Sequence, residues 1–499
     1  MRFNFENNGF IETDKDGKKL AIAGSDKDIT WEELKQETEK LEQLFSEIKL
    51  PEGEPIIIYG HKECLFPIAI LTCIKNNIPY VPIDKIMPMG RIEHIKNIID
   101  AKVIIICGDE NPMPEIPIII DKKMKISRTG HIQFKSHSEQ FDPVRYIMFT
   151  SGSTGAPKGV QITRESILSF VKWTERDFMY NSDSVFMNQA PFSFDISLIE
   201  TFGTFYFGAS MVLNDSTITK NPINFIERLK KYKCNLWNST PAFAFIYLTE
   251  PSFNGNTLPY LRKFLFMGEE LPARTVKKLK EVFENCKVYN AYGPTEATVV
   301  TTLIEINENI LNSEKSIPIG YPKNDGEILI INNEDNPLQS GEIVIVGDHV
   351  SVGYYKNIEL SDEKFFMHKN MRAYRTGDYG YYKNGIIFFE GRKDDQIKLH
   401  GYRIEIGEIT SKICEVEGIN EAVTIPLKSG NQVKRIIAFV LLKNENGIGS
   451  EMKIKIIDHL KKTLPEYMIP GEICFVNEFP LNPNHKIDKN KLIEWYSNQ

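Results

Sequence analysis

Several signs of a secreted, zinc-stapled or membrane-spanning protein are missing from this sequence. The seven cysteines, at positions 64, 73, 107, 234, 286, 414 and 474, are odd in number and form no C-x-x-C pair. Disulfide frameworks and structural zinc sites both need paired, regularly spaced cysteines, so buried free thiols in a reducing compartment are expected instead. The longest apolar stretch, Cys64 to Ile74, is interrupted by Pro67 and too short to cross a bilayer. The start, Met1-Arg2-Phe3-Asn4-Phe5-Glu6-Asn7, is too polar for a signal peptide. These absences predict a cytoplasmic protein with no membrane insertion. An excess of positive charge is missing too: 60 Lys+Arg face 67 Asp+Glu, leaving a net charge of −7. That excludes a general nucleic-acid binder, which needs a basic face to neutralise phosphates. It leaves room for one basic pocket holding a small phosphorylated ligand.

The remainder is ordinary globular composition, 41% hydrophobic and 25% charged, in a chain of 499 residues that is too long for one simple domain. The first half alternates helical and buried-strand patterns. Thr30-Trp31-Glu32-Glu33 reads as a capping box, in which the Thr hydroxyl and Glu carboxylate each satisfy an orphan backbone group at a helix start. Leu34, Leu41, Leu44, Phe45 and Ile48 continue it at near-helical spacing. Short apolar runs at Pro55–Tyr59, Val103–Ile106 and Ile118–Ile120 read as buried strands, and the alternation predicts an α/β fold with a largely parallel sheet. After about residue 315 the texture changes to short strands, with Tyr379–Tyr382 and Ile386–Phe389 flanking an Asn384-Gly385 hairpin turn. A second helix–strand alternation begins after Asp394. The expected organisation is a large N-terminal body of several subdomains, residues 1–393, and a small C-terminal domain, residues 394–499, joined at the charged Gly391–Asp395 segment.

The segment richest in chemistry runs from Tyr146 to Val160. An apolar strand enters a loop, Thr150-Ser151-Gly152-Ser153-Thr154-Gly155, that is closed by Ala156-Pro157-Lys158. Glycines admit a ligand close to the backbone, and successive N–H groups with several hydroxyls can cradle phosphate oxygens. It is not a Walker A loop, because Gly159 follows Lys158 and the G-x-x-x-x-G-K spacing fails. An unliganded Gly/Ser surface loop is the plain alternative.

This loop resembles the phosphate-binding loop of the adenylate-forming superfamily, which includes acyl-CoA synthetases, luciferases and nonribosomal-peptide adenylation domains. The resemblance continues in the superfamily's order. Asn290-Ala291-Tyr292-Gly293-Pro294-Thr295-Glu296 is similar to the element that supplies an aromatic ring to adenine and a carboxylate to Mg²⁺. Tyr374-Arg375-Thr376-Gly377-Asp378 resembles the element whose aspartate binds the ribose hydroxyls, where Arg392 could assist. Gly391 to Lys398 resembles the inter-domain hinge, which places the pivot at Asp394 and makes the C-terminal domain mobile. Asn484-His485-Lys486-Ile487-Asp488 resembles the element carrying the catalytic lysine, with His485 where a glycine is usual. The resemblance implies a body of α/β layers plus a β-barrel-like part, and an α+β C-terminal domain. It also implies ATP and Mg²⁺, with Thr150, Ser151, Thr154 and Lys158 on pyrophosphate, Glu296 on the metal, and Lys486 bridging substrate carboxylate and forming adenylate. Taken singly, Glu296 and Asp378 would pass for solvated carboxylates in turns.

Ala190-Pro191-Phe192-Ser193-Phe194-Asp195 narrows the substrate. In amino-acid-activating members an aspartate at the position of Asp195 pairs with the substrate ammonium, and a charge in an apolar pocket needs such a partner. The alternative is an Asp that caps the following helix. At closer range, Met187 to Asp195, Asn238-Ser239-Thr240-Pro241, Phe264-Leu265-Phe266 and Gln396 to Arg403 resemble D-alanine–D-alanyl carrier protein ligases. That resemblance implies D-alanine activation, transfer to the phosphopantetheine thiol of a separate carrier protein, and teichoic-acid D-alanylation. Met267 departs from it, standing where a cysteine beside the substrate side chain is usual. The 13 residues after Lys486 leave no room for a fused carrier, so a carrier acting in trans is expected, with Lys398, His400 and Arg403 as a candidate basic strip. The competing expectations are a stand-alone activator of another amino acid in a natural-product pathway, and an acyl- or aryl-CoA ligase.

Overall fold

The computed structural model describes residues 1–12, 17–129, 144–152, 156–313, 316–332, 339–392, 396–429, 432–443, 449–480 and 487–497. Contacts divide the chain into two compact units. The first comprises Met1–Lys85, Ile98–Phe149 and Gly159–Glu390; the second comprises Ile86–Asn97, Thr150–Lys158 and Gly391–Gln499.

The first unit contains two large sheets. In one, seven strands run in the order Lys158–Thr163, Val144–Thr150, Tyr80–Asp84, Ile56–Gly60, Val103–Ile106, Ile118–Ile120, Ile126–Arg128. Its centre is parallel. Ile56, Ile57, Ile58 and all of Val103–Ile106 are buried, with no alternation, as expected of strands covered on both faces. Pro82 lies inside Tyr80–Asp84, where a proline argues against a central strand. It is tolerated because the ladder to Val144–Thr150 is registered at Tyr80 alone, opposite Tyr146. The apolar stretch after Cys64 forms the helix Leu65–Lys75, with Leu65 through Ile74 all buried and Pro67 in its first turn, where it removes no needed N–H. Among the described residues no helix is long and apolar enough to cross a membrane.

The second sheet has nine strands, and six of them form a parallel core in the order Lys287–Tyr292, Lys263–Phe266, Leu236–Ser239, Val185–Asn188, Ser210–Leu213, Leu20–Ala23. Trp237 anchors one face, ringed by Phe225, Phe243, Tyr247, Phe253 and Phe264. Helix Trp31–Ile48 begins at the expected capping box: Glu33 N–H donates to Thr30 Oγ1 at 3.3 Å and Thr30 N–H donates to Glu33 Oε2 at 2.7 Å.

A third sheet is antiparallel, built from Gly326–Ile331, Gly341–Gly347, Met371–Lys383, Phe365–His368 and Ile386–Arg392. Here the expected barrel-like part needs correction: among the described residues it is an open five-stranded sheet whose ends do not close. Its last hairpin turns at Asn384 (φ 52°) and Gly385 (φ 76°), the left-handed pair that an Asn-Gly turn supplies. The second unit is α+β. Its three-stranded sheet, Ile419–Ser429, Gln432–Leu442 and Glu472–Val476, accompanies helices Ile406–Cys414, Gly449–Thr463 and Lys489–Ser497. All seven cysteines are free thiols; six are buried and Cys414 is exposed.

Removing the capping hydroxyl with Thr30→Ala should cost about 1 kcal/mol. A denaturation series should show it as a lower midpoint at unchanged slope.

Candidate active site

Four neighbouring parallel strands of the nine-stranded sheet end in register. Ser239 lies beside Phe266, and Phe266 beside Asn290, while Met187 pairs with Trp237 one strand further on. Their carboxyl ends lead into Gln189–Ile196, Thr240-Pro241, Met267-Gly268-Glu269 and Gly293–Ala297. In open α/β sheets ligands bind outside the carboxyl ends of the strands, because loops from adjacent strands converge there. Asp195, Met267, Gly293, Thr295 and Glu296 therefore leave one sheet edge, although they are up to 101 positions apart in sequence.

On the last of these strands Asn290, Ala291 and Tyr292 are buried. Asn290 Nδ2 donates to the Pro318 carbonyl at 2.8 Å. The Tyr292 hydroxyl donates to Asp378 Oδ2 at 2.5 Å, tying this sheet to the long antiparallel strand Met371–Lys383. Glu296 is fully buried, and the hydroxyl of Tyr354 donates to its Oε1 at 2.8 Å. Both carboxylates are thus desolvated and held by tyrosine hydroxyls, the opposite of solvated turn residues. Two residues after Glu296, Thr298 (φ 53°) and Val299 (φ 71°) occupy the left-handed region, which costs β-branched residues of order 1–3 kcal/mol each. The surroundings hold them there: Thr298 Oγ1 donates to the His349 carbonyl at 2.7 Å, and Ser351 N–H donates to the Glu296 carbonyl at 2.8 Å.

Asp195 sits in consecutive turns ahead of helix Ser197–Phe207, with Phe194 N–H donating to Pro191 O at 2.9 Å and Leu198 N–H to Asp195 O at 2.8 Å. The cap position of that helix falls on Ile196, which makes no side-chain capping bond. The nearby Ser193 hydroxyl is buried without a hydrogen-bond partner among the described residues. Met267 is 1% exposed and packs in the main hydrophobic cluster with Leu265, Tyr289 and Ala291.

The phosphate-loop residues belong to the second unit. Thr150 ends its strand with Oγ1 buried and unpartnered among the described residues, and the Ser151 hydroxyl donates to the Arg403 carbonyl at 2.9 Å. A side chain at Gly152 would meet the Ala156 carbonyl oxygen at 2.0 Å, so only glycine fits this turn. Lys158 opens the next strand and Arg392 closes Ile386–Arg392, both half-buried. Ser153, Thr154, Gly155, Asp394, His485 and Lys486 lie outside the described residues. Lys398 and Arg403 are half-buried and His400 is exposed, on the hairpin Gln396–Leu399 and Tyr402–Glu405.

Among the described residues no group of three or more His, Cys, Asp or Glu forms a self-sufficient metal cage. Magnesium does not require one, since it takes one or two carboxylates and completes its shell with substrate phosphates and water. The buried Glu296 carboxylate is the hard oxygen donor such an ion prefers. Tyr354 was not foreseen from the sequence: a Tyr-Tyr pair in an apolar stretch reads as core, and only the folded chain brings it to Glu296.

Residues 11–355 match the AMP-binding enzyme family, and residues 408–486 match the AMP-binding enzyme C-terminal domain. The chain belongs to the AMP-binding enzyme family. Among curated relatives, D-alanine–D-alanyl carrier protein ligase of Bacillus mycoides (strain KBAB4) is 38% identical over 486 residues, covering 95% of this chain and 96% of the relative. The ligase of that name from Bacillus anthracis (strain CDC 684 / NRRL 3495) is 37% identical over 484 residues, with 95% and 96% covered. Among solved structures, the Vibrio cholerae adenylation domain AlmE, crystallised with glycyl-adenosine-5′-phosphate, superposes with a TM-score of 0.81 at 19% identity, covering 98% of this chain and 100% of that one. The amide bond synthetase McbA from Marinactinospora thermotolerans gives 0.80 at 16% identity, covering 96% and 97%. These structural likenesses concern the fold.

A methyl group at Gly293 would stand 2.5 Å from Val300 Cα and 2.9 Å from Thr301 N, all rigid backbone. Gly293→Ala should therefore displace the Tyr292–Glu296 segment and lower turnover by about 100-fold, the usual penalty of an ångström-scale misplacement. Calorimetric titration with a non-hydrolysable ATP analogue should show weakened nucleotide binding alongside it.

Proposed function

We propose that this chain activates D-alanine with ATP as D-alanyl-AMP and passes it to the phosphopantetheine thiol of a separate carrier protein, for D-alanylation of teichoic acids. The observation that carries the reading is the convergence of Asp195, Met267 and the Gly293–Glu296 segment on the carboxyl ends of four adjacent parallel strands. Full-length similarity to D-alanine–D-alanyl carrier protein ligases supports the choice of substrate and acceptor.

In this reading the substrate ammonium pairs with Asp195, and Met267 limits the space beside the substrate methyl group. The Tyr292 ring lies against adenine, with Asn290 and Ala291 framing the base, and Asp378 accepts bonds from the ribose hydroxyls with Arg392 nearby. Thr150, Ser151, Gly152, Ser153, Thr154, Gly155 and Lys158 hold the β- and γ-phosphates. Glu296, with Thr295 beside it, would hold Mg²⁺, which when bound neutralises the triphosphate and draws charge toward the leaving pyrophosphate. Carboxylate and α-phosphate are both anionic, so catalysis rests on positioning and on positive charge at the point of attack. Lys486 supplies that charge to the attacking carboxylate oxygen and the forming adenylate. The carboxylate oxygen bonds to the α-phosphorus while the bond to pyrophosphate breaks. Residues 394–499 then turn about Asp394, withdrawing Lys486, and the carrier thiol attacks the acyl carbon and releases AMP.

D-alanine should drive ATP–pyrophosphate exchange, whereas long-chain and aromatic acids should not. Glycine, L-alanine and other amino acids in the same screen decide the substrate; exchange only with the long-chain or aromatic acids would refute amino-acid activation. Asp195→Asn should raise the KM for D-alanine by about 100-fold, the consequence of leaving a desolvated charge without its partner. Exchange should also stop on chelation of divalent cations and in Lys486→Ala, while transfer to free CoA in place of a carrier protein would overturn the assigned acceptor.

A further inference from the structure

A buried lysine outside the motifs holds the segment on which Asp195 rides. Lys62 follows strand Ile56–Gly60 of the seven-stranded sheet and is completely buried. Its ammonium donates to Asn188 Oδ1 and to the Ala190 carbonyl, each at 2.5 Å, and lies 4.4 Å from the centre of the Phe192 ring. Phe192 is itself stacked on Phe66, at 4.6 Å and 19°. The three N–H donors of the lysine are thus directed at an amide oxygen, a backbone carbonyl and a π face. Asn188 closes strand Val185–Asn188 and engages its other amide atom as well: Nδ2 donates at 3.3 Å to Oε2 of Glu200, which lies in helix Ser197–Phe207 and is 1% exposed.

This chain of contacts spans the Gln189–Ile196 segment from both sides. Its entrance is fixed at Asn188 and Ala190 by Lys62, and its exit is fixed by Glu200 one turn into the following helix. Between these points the backbone forms only consecutive turns, so no sheet ladder sets the position of Asp195. The cost of the arrangement is visible in both groups. Burial brings the Lys62 ammonium down to about 8, against the pull of Asp84, Glu200, Asp215 and Glu63. Burial raises the Glu200 carboxyl to about 8, opposed by the Lys62 charge and the Asn188 amide. An apolar side chain of the same length would fill the space without desolvating a charge. What it would lack is directed donors to two points of the substrate segment.

We propose that Lys62 is a positioning residue for amino-acid recognition, which grips Asn188 and the Ala190 carbonyl so that Asp195 meets the substrate ammonium. The proposal rests on the reading of Asp195 given above. Its test is a set of exchange kinetics on purified full-length protein, with thermal melting recorded for every variant. Lys62→Met should raise the KM for D-alanine about tenfold or more while the KM for ATP stays within about twofold. In an Asp195→Asn background the same substitution should add little, because the group it positions is already disabled. Where Lys62→Met alone fails to fold, Lys62→Met with Glu200→Gln removes both buried titratable groups and should fold, still with the raised KM for D-alanine. Equal rises in both KM values, a wild-type KM in the paired variant, or effects of Lys62→Met and Asp195→Asn that multiply independently would overturn the positioning role. A normal KM for every amino acid in Asp195→Asn would instead overturn the ammonium reading on which it rests.

Discussion

Parallel strand register is the constraint from which the candidate site follows. Once Val185–Asn188, Leu236–Ser239, Lys263–Phe266 and Lys287–Tyr292 pair side by side in the same direction, their four following loops must leave the same sheet edge. The apolar, β-rich interiors of these strands, Phe-Met, Leu-Trp, Phe-Leu-Phe and Val-Tyr, make that pairing favourable by burial alone. Asn290, Ala291 and Tyr292 belong to the last of these strands, and the remaining candidate residues are placed by the loops that follow. This separation lets the loops carry polar and strained chemistry while hydrophobic packing supplies the stability.

The polar groups at that edge are expensive to bury, and the structure answers each with a particular partner. Tyr354 serves Glu296, Tyr292 serves Asp378, and Asn188 stands between Lys62 and Glu200. In each case a hydrogen bond offsets part of the desolvation. The left-handed turn at Thr298 and Val299 belongs to the same pattern. It is local strain tolerated because it redirects the chain just after Glu296, and it is held by His349 and Ser351 from the segment that also delivers Tyr354.

Much of the first unit could be read from the chain itself because the relevant signals are local. The capping box at Thr30, the unbroken isoleucine strands and the Asn384-Gly385 turn each depend on residues within a few positions, and the structure places each as expected. The motif at Asn290–Glu296 was legible for a similar reason: its order in the chain survives without knowledge of its neighbours. Tyr354 and Lys62 were not legible. Their contacts lie 58 and 126 or more residues away, and neither residue differs locally from a core tyrosine or a surface lysine. The barrel-like expectation failed in a related way. Strand count and turn chemistry follow from local sequence, but closure depends on whether the first and last strands meet. Here, among the described residues, the path ends at Gly326–Ile331 and Phe365–His368 without joining.

These interactions also rank the elements of substrate choice. A hydrophobic contact distinguishes substrates differing by one methylene only by about 1–3 kcal/mol, so on the proposed reading Met267, buried in one cluster with Leu265, Tyr289 and Ala291, would tune side-chain size within a modest range. A charged group discriminates more strongly, since a substrate lacking the ammonium would leave a carboxylate desolvated and unpaired. Discrimination of that kind is effective only if the carboxylate cannot swing out to water when the wrong substrate binds. A lysine fixed to the Ala190 carbonyl from the neighbouring sheet adds such a restraint to the hydrogen-bonded turns of the segment. On the proposed reading, selectivity for an amino acid over a simple acid would depend on residues of both sheets, whereas selectivity among small amino acids would rest on Met267 and its neighbours at one strand end.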